Sequence, residues 1–273
     1  MIRPPAVAGQ FYSASPDVLD ADLAGYSDPT AIPQPALAVI SPHAGLMYSG
    51  HVAGATYSRV SFPPSVILIG PNHFGAGADI SVYPEGAWQI PGGAVLIDCE
   101  LAAEILARFP IAKSDTGAHR TEHSLEVQLP FLRRARPDVR IVPILLGIIH
   151  QGVDRDLGVC LATLIQEYSA GLRQGPPPLL VASTDMNHYE SDAVTRAKDR
   201  FALEAIESLQ PERLDAAVRA HGISMCGHRP TTTVLHACQA LGATSASLVR
   251  YATSGDITGD RSRVVGYAGF AIR

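Results

Sequence analysis

The sequence predicts an α/β fold: a single three-layer domain around a central mixed, mostly parallel sheet. Two observations predict it. Short continuous apolar runs recur at 36–41 (ALAVIS), 66–70 (VILIG), 141–147 (IVPILLG) and 179–183 (LLVAS), as suits strands buried on both faces of a sheet. Helical patterns alternate with them, which places crossover helices over the sheet. The chain has 273 residues, 47% hydrophobic and 17% charged, enough for a sizeable core and far from a disordered composition. Residues 1–273 form one domain on this reading. The Pro-rich stretches 28–35 and 175–178 are shorter than typical linkers, and each leads straight into a buried-strand pattern.

The helices are expected as follows. The first, 98–109, has Asp98 as a plausible N-cap and carries Leu101, Ile105 and Leu106 along one face. The second, 122–135, presents Leu125, Leu129 and Leu132, with Pro130 kinking or breaking it. Further helices are expected at 154–172, 191–209 and 231–241, with Pro230 just before or at the first turn of the last. His51 follows Ser49 and Gly50 in what reads as another helix start. Two apolar runs, 247–253 and 264–272, close the chain as strands. The last is rich in small residues that let other backbone approach.

The composition excludes several function classes. The net charge is −5, and only Lys113 and Lys198 accompany 19 arginines, which form no basic stripe, so no nucleic-acid partner is expected. The first 17 residues hold no apolar core of signal-peptide length. The longest apolar run, 141–149, is interrupted by Pro143 and Gly147, far short of a bilayer span, so no membrane association is expected. The four cysteines form no Cys-x-x-Cys pair and are too sparse for a disulfide scaffold. A soluble cytoplasmic protein with free thiols is expected. The count left unexplained is histidine, at ten.

Three histidines share one context. The run 36–41 leads into Pro42-His43-Ala44-Gly45, the run 66–70 into Pro71-Asn72-His73-Phe74-Gly75, and the run 179–183 into Thr184-Asp185-Met186-Asn187-His188. Ligands of open α/β sheets bind beyond the carboxyl ends of the strands, so parallel strands would aim these imidazoles into one crevice. One histidine after a strand is ordinarily a surface residue; three with the same grammar point to a shared site. Cys226, in Met225-Cys226-Gly227-His228-Arg229-Pro230, lies at a helix start beside Arg229, suited to a nucleophile or a soft metal ligand. Cys99, Cys160 and Cys238 read as small core residues.

His119-Arg120-Thr121-Glu122-His123 matches the His-x-x-Glu-His pattern of one zinc-peptidase class. That pattern requires a helix through all five residues, whereas Asp115-Thr116-Gly117 suggests a loop and a helix starting near Thr121. Glu122 and His123 can still face the crevice as acid–base groups, or as groups that orient a ligand. His51, His150, His221 and His236 are assigned to structure or surface, and His119 and His228 remain neighbours without a role.

These stretches carry a family resemblance. Residues 3–12 (RPPAVAGQFY), 41–50 (SPHAGLMYSG), 70–75 (GPNHFG), 122–132 (EHSLEVQLPFL), 183–189 (STDMNHY), 226–230 (CGHRP) and 251–272 (YATSGDITGDRSRVVGYAGFAI) resemble the Memo family. In prokaryotes that family goes by the name AmmeMemoRadiSam system protein B. The resemblance implies a fold similar to class III extradiol dioxygenases, which are non-haem iron enzymes. It also implies a metal pocket with two histidines and a cysteine where those enzymes have two histidines and a glutamate. By motif, His43, His73 and Cys226 become metal ligands, with Asp185 and His188 beside them. The family name further implies a functional link to a radical SAM protein.

A thiolate in place of the carboxylate softens the site, which brings copper or zinc into range beside Fe(II) and weakens the case for catechol cleavage. The leading expectation is a metal-dependent redox or oxygenase-like activity on a small molecule, with Fe(II) first among divalent metals. His188, held by Asp185, would move protons, and Glu122 and His123 would line the pocket. The rival is a non-catalytic protein that keeps the pocket to bind a ligand or peptide. A zinc hydrolase using His119 and His123 is the third reading.

Overall fold

The computed structural model describes residues 1–273. β1 (Ile2–Arg3) and α1 (Pro16–Tyr26) precede β2 (Ala38–Ser41), α2 (Leu46–Tyr57) and β3 (Ser65–Pro71). Then come β4 (Ile80–Val82), β5 (Ala87–Ile90), β6 (Gly93–Ile97), α3 (Cys99–Arg108) and β7 (Lys113–Ser114). A 3₁₀ turn (Glu126–Gln128) leads into α4 (Leu129–Ala135), β8 (Arg140–Leu146), α5 (Val153–Ser169) and β9 (Leu179–Ser183). The chain closes with β10 (His188–Glu190), α6 (Asp192–Glu207), α7 (Pro211–His221), α8 (His228–Ala240), β11 (Ala246–Thr253), α9 (Gly255–Thr258) and β12 (Val264–Ile272).

All twelve strands belong to one sheet. Its centre runs β6-β8-β3-β9-β2 with every neighbouring pair parallel, and β12 adds antiparallel to β2. Side chains alternate across this sheet, as a period of two requires. Ile67 and Ile69 of β3, Leu180 and Ala182 of β9, and Ala38 and Ile40 of β2 enter one core with residues of α3, α5, α6, α7 and α8. Val66 and Leu68, Leu179 and Val181, and Val39 enter the other core, with α1, α2 and α4. The predicted three-layer α/β fold is therefore the observed one.

The buried runs were legible to within a residue for β3, β8 and β9, and the closing run coincides with β12. Asp98 caps α3 as expected, accepting from the Leu101 N–H. The helix expected over 122–135 is corrected: α4 begins only at Leu129, and Pro130 sits in its first turn, where a missing N–H breaks nothing. α8 starts at His228 rather than at residue 231, and α2 starts at Leu46, ahead of His51. α7 was not anticipated, although Pro211 at its start and Gly222 in the left-handed conformation just past its end are the ordinary helix punctuation.

β3, β9 and β2 are consecutive neighbours, so their carboxyl ends lie side by side. α2 leaves β2 toward one core and α6 follows β9 toward the other. Connections that part in this way open a crevice at the strand ends.

Candidate metal centre

His43 leaves the end of β2 two residues after Ser41, and its ring is 1% exposed. Its Nδ1 lies 2.9 Å from Ser183 Oγ, at the end of β9, and its backbone N–H donates to Asp185 Oδ1 at 2.8 Å. His73 leaves the end of β3. Its Nδ1 pairs with Glu122 Oε1 at 2.9 Å, and its N–H donates to Glu122 Oε2 at 2.7 Å. His123, from the irregular loop before the 3₁₀ turn, has Nδ1 3.4 Å from the same Glu122 Oε1. The three rings stand 4.7 to 5.5 Å apart centre to centre, with His73 and His123 stacked. One ligand nitrogen from each lies within 4.8 Å of the other two, so His43, His73 and His123 can hold a divalent metal.

Glu122 is 1% exposed and accepts the N–H groups of His123 and Ser124 besides those of His73. Burial works to raise its carboxyl, but the His73 side chain and these backbone donors overcome burial and hold it at about 2. It is thus a carboxylate that grips the histidines from behind and does not line the cleft. Burial, with the neighbouring His73, His123 and His188 charges, pushes His43 well below the usual imidazole range; burial also lowers His123, with the His73 charge adding to it. Both rings are neutral near pH 7 and offer a lone pair, the form a metal requires.

Cys226 reaches the same floor. Its Sγ lies 3.4 Å from His43 Nε2 and accepts the Asp185 N–H at 3.2 Å. Gly227 makes this possible, because a Cβ there would run into the Ser183 carbonyl and the Thr184 side chain. Burial and the Asp185 charge push the thiol up, and burial likewise raises Asp185.

His188 is placed differently from expectation. No hydrogen bond joins it to Asp185; its Nδ1 pairs with the Ser224 carbonyl at 2.8 Å, and its N–H donates to Ser224 Oγ at 2.8 Å. Asn187 Oδ1 in turn accepts both the N–H and the hydroxyl of Ser224. Asp185 instead serves the backbone of His43. The difference follows from β10 beginning at His188, which turns the ring toward the 224–226 loop.

The cleft above these groups encloses about 820 Å³. Beyond the expected residues it is lined by Phe11, Tyr48, Tyr189, Tyr267 and Arg263, none of which the strand-end pattern marks. Phe11 packs on His123 at 4.7 Å between ring centres. It is delivered by a buried anchor: Arg3 pairs with Glu126 at 2.5 Å, and Glu126 also accepts from the N–H groups of Ala6 and Val7 and from the Tyr12 hydroxyl. The stretch 3–12 thus ties the N-terminus to the loop that carries Glu122 and His123.

Comparison with known proteins gives the family. The Memo family, described as "Memo-like protein", matches residues 3–271. The chain belongs to the Memo family. A "MEMO1 family protein" of Aquifex aeolicus is 42% identical over 271 residues, covering 98% of each chain. One of Methanopyrus kandleri is 36% identical over 100% of this chain and 99% of its own, and one of Thermotoga maritima is 38% identical over 98% of each. Among solved structures, an uncharacterized protein, JW3007, from Escherichia coli K12 is similar in fold, with a TM-score of 0.54 and 14% identity. The match covers 85% of this chain and 98% of that one. This Memo-family fold therefore recurs at low sequence similarity.

The zinc-peptidase reading of this Memo-family chain fails. Residues 119–123 form a loop, and His119 is fully buried away from the cleft, edge-on to Tyr83 and Trp88, with Nε2 3.2 Å from the Ser81 carbonyl. His228 pairs with Asp215 at 3.0 Å, outside the cleft. Cys238 is buried as expected, whereas Cys99 is exposed at the start of α3.

Proposed function

We propose that this cleft is the metal centre of a redox or oxygenase-like enzyme acting on a small molecule. The observation that carries the reading is the orientation of the histidines. His43 and His73 have Nδ1 tied back to Ser183 and Glu122, which leaves Nε2 of each for an ion in the cleft. Two ligand atoms on one ion, at about 2.1 Å for nitrogen and about 2.3 Å for sulfur, stand roughly 3.1 to 3.6 Å apart. The 3.4 Å between His43 Nε2 and Cys226 Sγ fits that spacing. The ligand set we propose is His43, His73 and Cys226, with His123 as a further donor. Fe(II) is the proposed metal, and copper and zinc are the alternatives that nitrogen and thiolate donors also suit.

When bound, the metal would supply a Lewis-acidic, redox-capable centre at the cleft floor. His188, with Nδ1–H directed to the Ser224 carbonyl, keeps Nε2 free to accept or return a proton. Glu122 holds His73 in place, and Asp185 fixes the His43 backbone. The aromatic walls and the volume of about 820 Å³ support a small-molecule substrate. Four unpaired thiols support a reducing, cytoplasmic setting, and no helix is long and apolar enough to cross a membrane.

The test is metal analysis of freshly purified protein beside His43→Ala, His73→Ala, His123→Ala and Cys226→Ser. Anaerobic reconstitution with Fe(II), and oxygen uptake with a panel of catechols and thiol reductants, then follow. Retained metal in wild type that is lost in His43→Ala and His73→Ala supports the centre. Metal without oxygen uptake or turnover would favour a ligand-binding protein, a reading supported by the absence of a carboxylate from the histidine group.

A further inference from the structure

We infer that Ser183 is a positioning residue that sets the tautomer of His43, holding its proton on Nδ1 and so presenting Nε2 as the donor. The inference deepens the metal-centre reading and rests on it for its purpose, but not for its evidence.

Ser183 Oγ has three neighbours: the Ser124 carbonyl at 2.6 Å, Gln128 Nε2 at 2.8 Å and His43 Nδ1 at 2.9 Å. A hydroxyl has one hydrogen to give and two lone pairs to receive. The Ser124 carbonyl can only accept, so the hydroxyl hydrogen goes there. Gln128 can only donate at this point. Its Nε2 also faces the Pro42 carbonyl at 2.9 Å, and its Oε1 accepts the Tyr57 hydroxyl at 2.7 Å, so a flipped amide would set two oxygens against each other. Ser183 therefore has one lone pair left for His43, and His43 Nδ1 must carry the hydrogen.

Water cannot relax this constraint, because Ser183, Ser124 and Gln128 are fully buried and His43 is 1% exposed. The opposite tautomer would leave a buried oxygen–oxygen or oxygen–nitrogen pair with no hydrogen between them. The chain Tyr57, Gln128, Ser183 and Ser124 thus fixes which nitrogen of His43 meets the cleft. Nothing in this chain needs a metal to be present, so His43 is set for binding beforehand.

The experiment is nitrogen-15 NMR of histidine-labelled, metal-free protein, with His43→Ala used to assign the signals. A protonated Nδ1 and an unprotonated Nε2 at His43 are expected in wild type, and a mixture of tautomers in Ser183→Ala. Zn(II) affinity, by competition with a chelator, should fall about 10- to 100-fold in Ser183→Ala. A protonated Nε2 in wild type overturns the inference, as does a Ser183→Ala spectrum identical to wild type. If Ser183→Ala does not fold, the wild-type spectrum decides alone. A wild type with the expected tautomer but no Zn(II) binding would uphold the inference while overturning the proposed metal centre.

Discussion

The Ser183 hydroxyl donates to the Ser124 carbonyl at 2.6 Å, joining the end of β9 to the loop that carries Glu122 and His123. Ser124 also donates through its own hydroxyl to the Pro71 carbonyl, at the end of β3. Three residues, 122 to 124, therefore brace both strand-end histidines, one through Glu122 and one through Ser183. The loop is held to the ends of β9 and β3 by these bonds and to His73 through Glu122.

Glu122→Ala should remove that brace. It strands the buried Ser124 donor, worth about 1–3 kcal/mol when unsatisfied, and releases the partly buried donors of His73 and His123. Zn(II) affinity is expected to fall about 10- to 100-fold, together with a clear loss of stability in urea. Unchanged affinity would mean that His73 keeps its orientation without the carboxylate.

Arg3→Met should destabilise the protein by about 3–5 kcal/mol, because Glu126 is fully buried and would lose its counter-charge. Arg3 also donates to the His119 and Glu122 carbonyls and lies over the Trp88 ring, so the N-terminal segment should loosen with it. Urea denaturation measures the cost, and limited proteolysis near residue 3 should report the loosening. A change under 1 kcal/mol would contradict the anchoring role.

His43 and His73 were legible because each follows an apolar run directly, and a buried parallel strand fixes where its next residue points. His123 joined them without a periodic signal, since it lies in an irregular loop positioned by side-chain bonds from residues remote in sequence. The same cause hid Phe11, which reaches the cleft only through the Arg3–Glu126 pair, and Ser183 and Gln128, which read as ordinary strand and helix residues. The expected bond from Asp185 to His188 failed for a related reason. Three residues of separation say nothing of direction once a strand begins at His188 itself. Two residues of the proposed ligand set were therefore visible in the strand-end pattern; Cys226 was visible from its helix start beside Arg229, as a nucleophile or ligand, and only the family resemblance chose the ligand role. The groups that orient them sit in no pattern of their own, because they act through contacts between segments remote in sequence.

Two carboxyls should give stability opposite dependences on pH. Glu122 is held at about 2 in the folded state, below its ordinary 4.5, so its contribution is present above pH 4.5 and is lost as pH falls toward 2. Asp199 is raised from 3.8 to about 6, chiefly by burial, against the hydrogen bond from Tyr251. Its ionisation costs stability progressively between pH 3.8 and 6, by about 3 kcal/mol above that range. Asp199→Asn keeps an acceptor for the Asn187 N–H and removes the charge. It should stabilise the protein at pH 8 relative to wild type and change little at pH 3.5. Denaturation curves at both values check this; an equal effect at both would assign Asp199 an ordinary ionisation.

Gly227→Ala tests how Cys226 is delivered. The added methyl meets the Ser183 carbonyl and the Thr184 side chain, so the backbone at 226–227 must move away from β9. A cost of about 1–3 kcal/mol is expected from the overpacking. The displacement should carry Cys226 Sγ off His43 Nε2, and Zn(II) affinity should fall. A double-mutant cycle with Cys226→Ser separates this effect from general loosening. If Gly227 acts by placing the thiol, Gly227→Ala adds nothing to the affinity lost in Cys226→Ser, while the stability cost persists. Additive losses of affinity would show instead that the shifted backbone disturbs the histidines through Ser183, the residue it strikes.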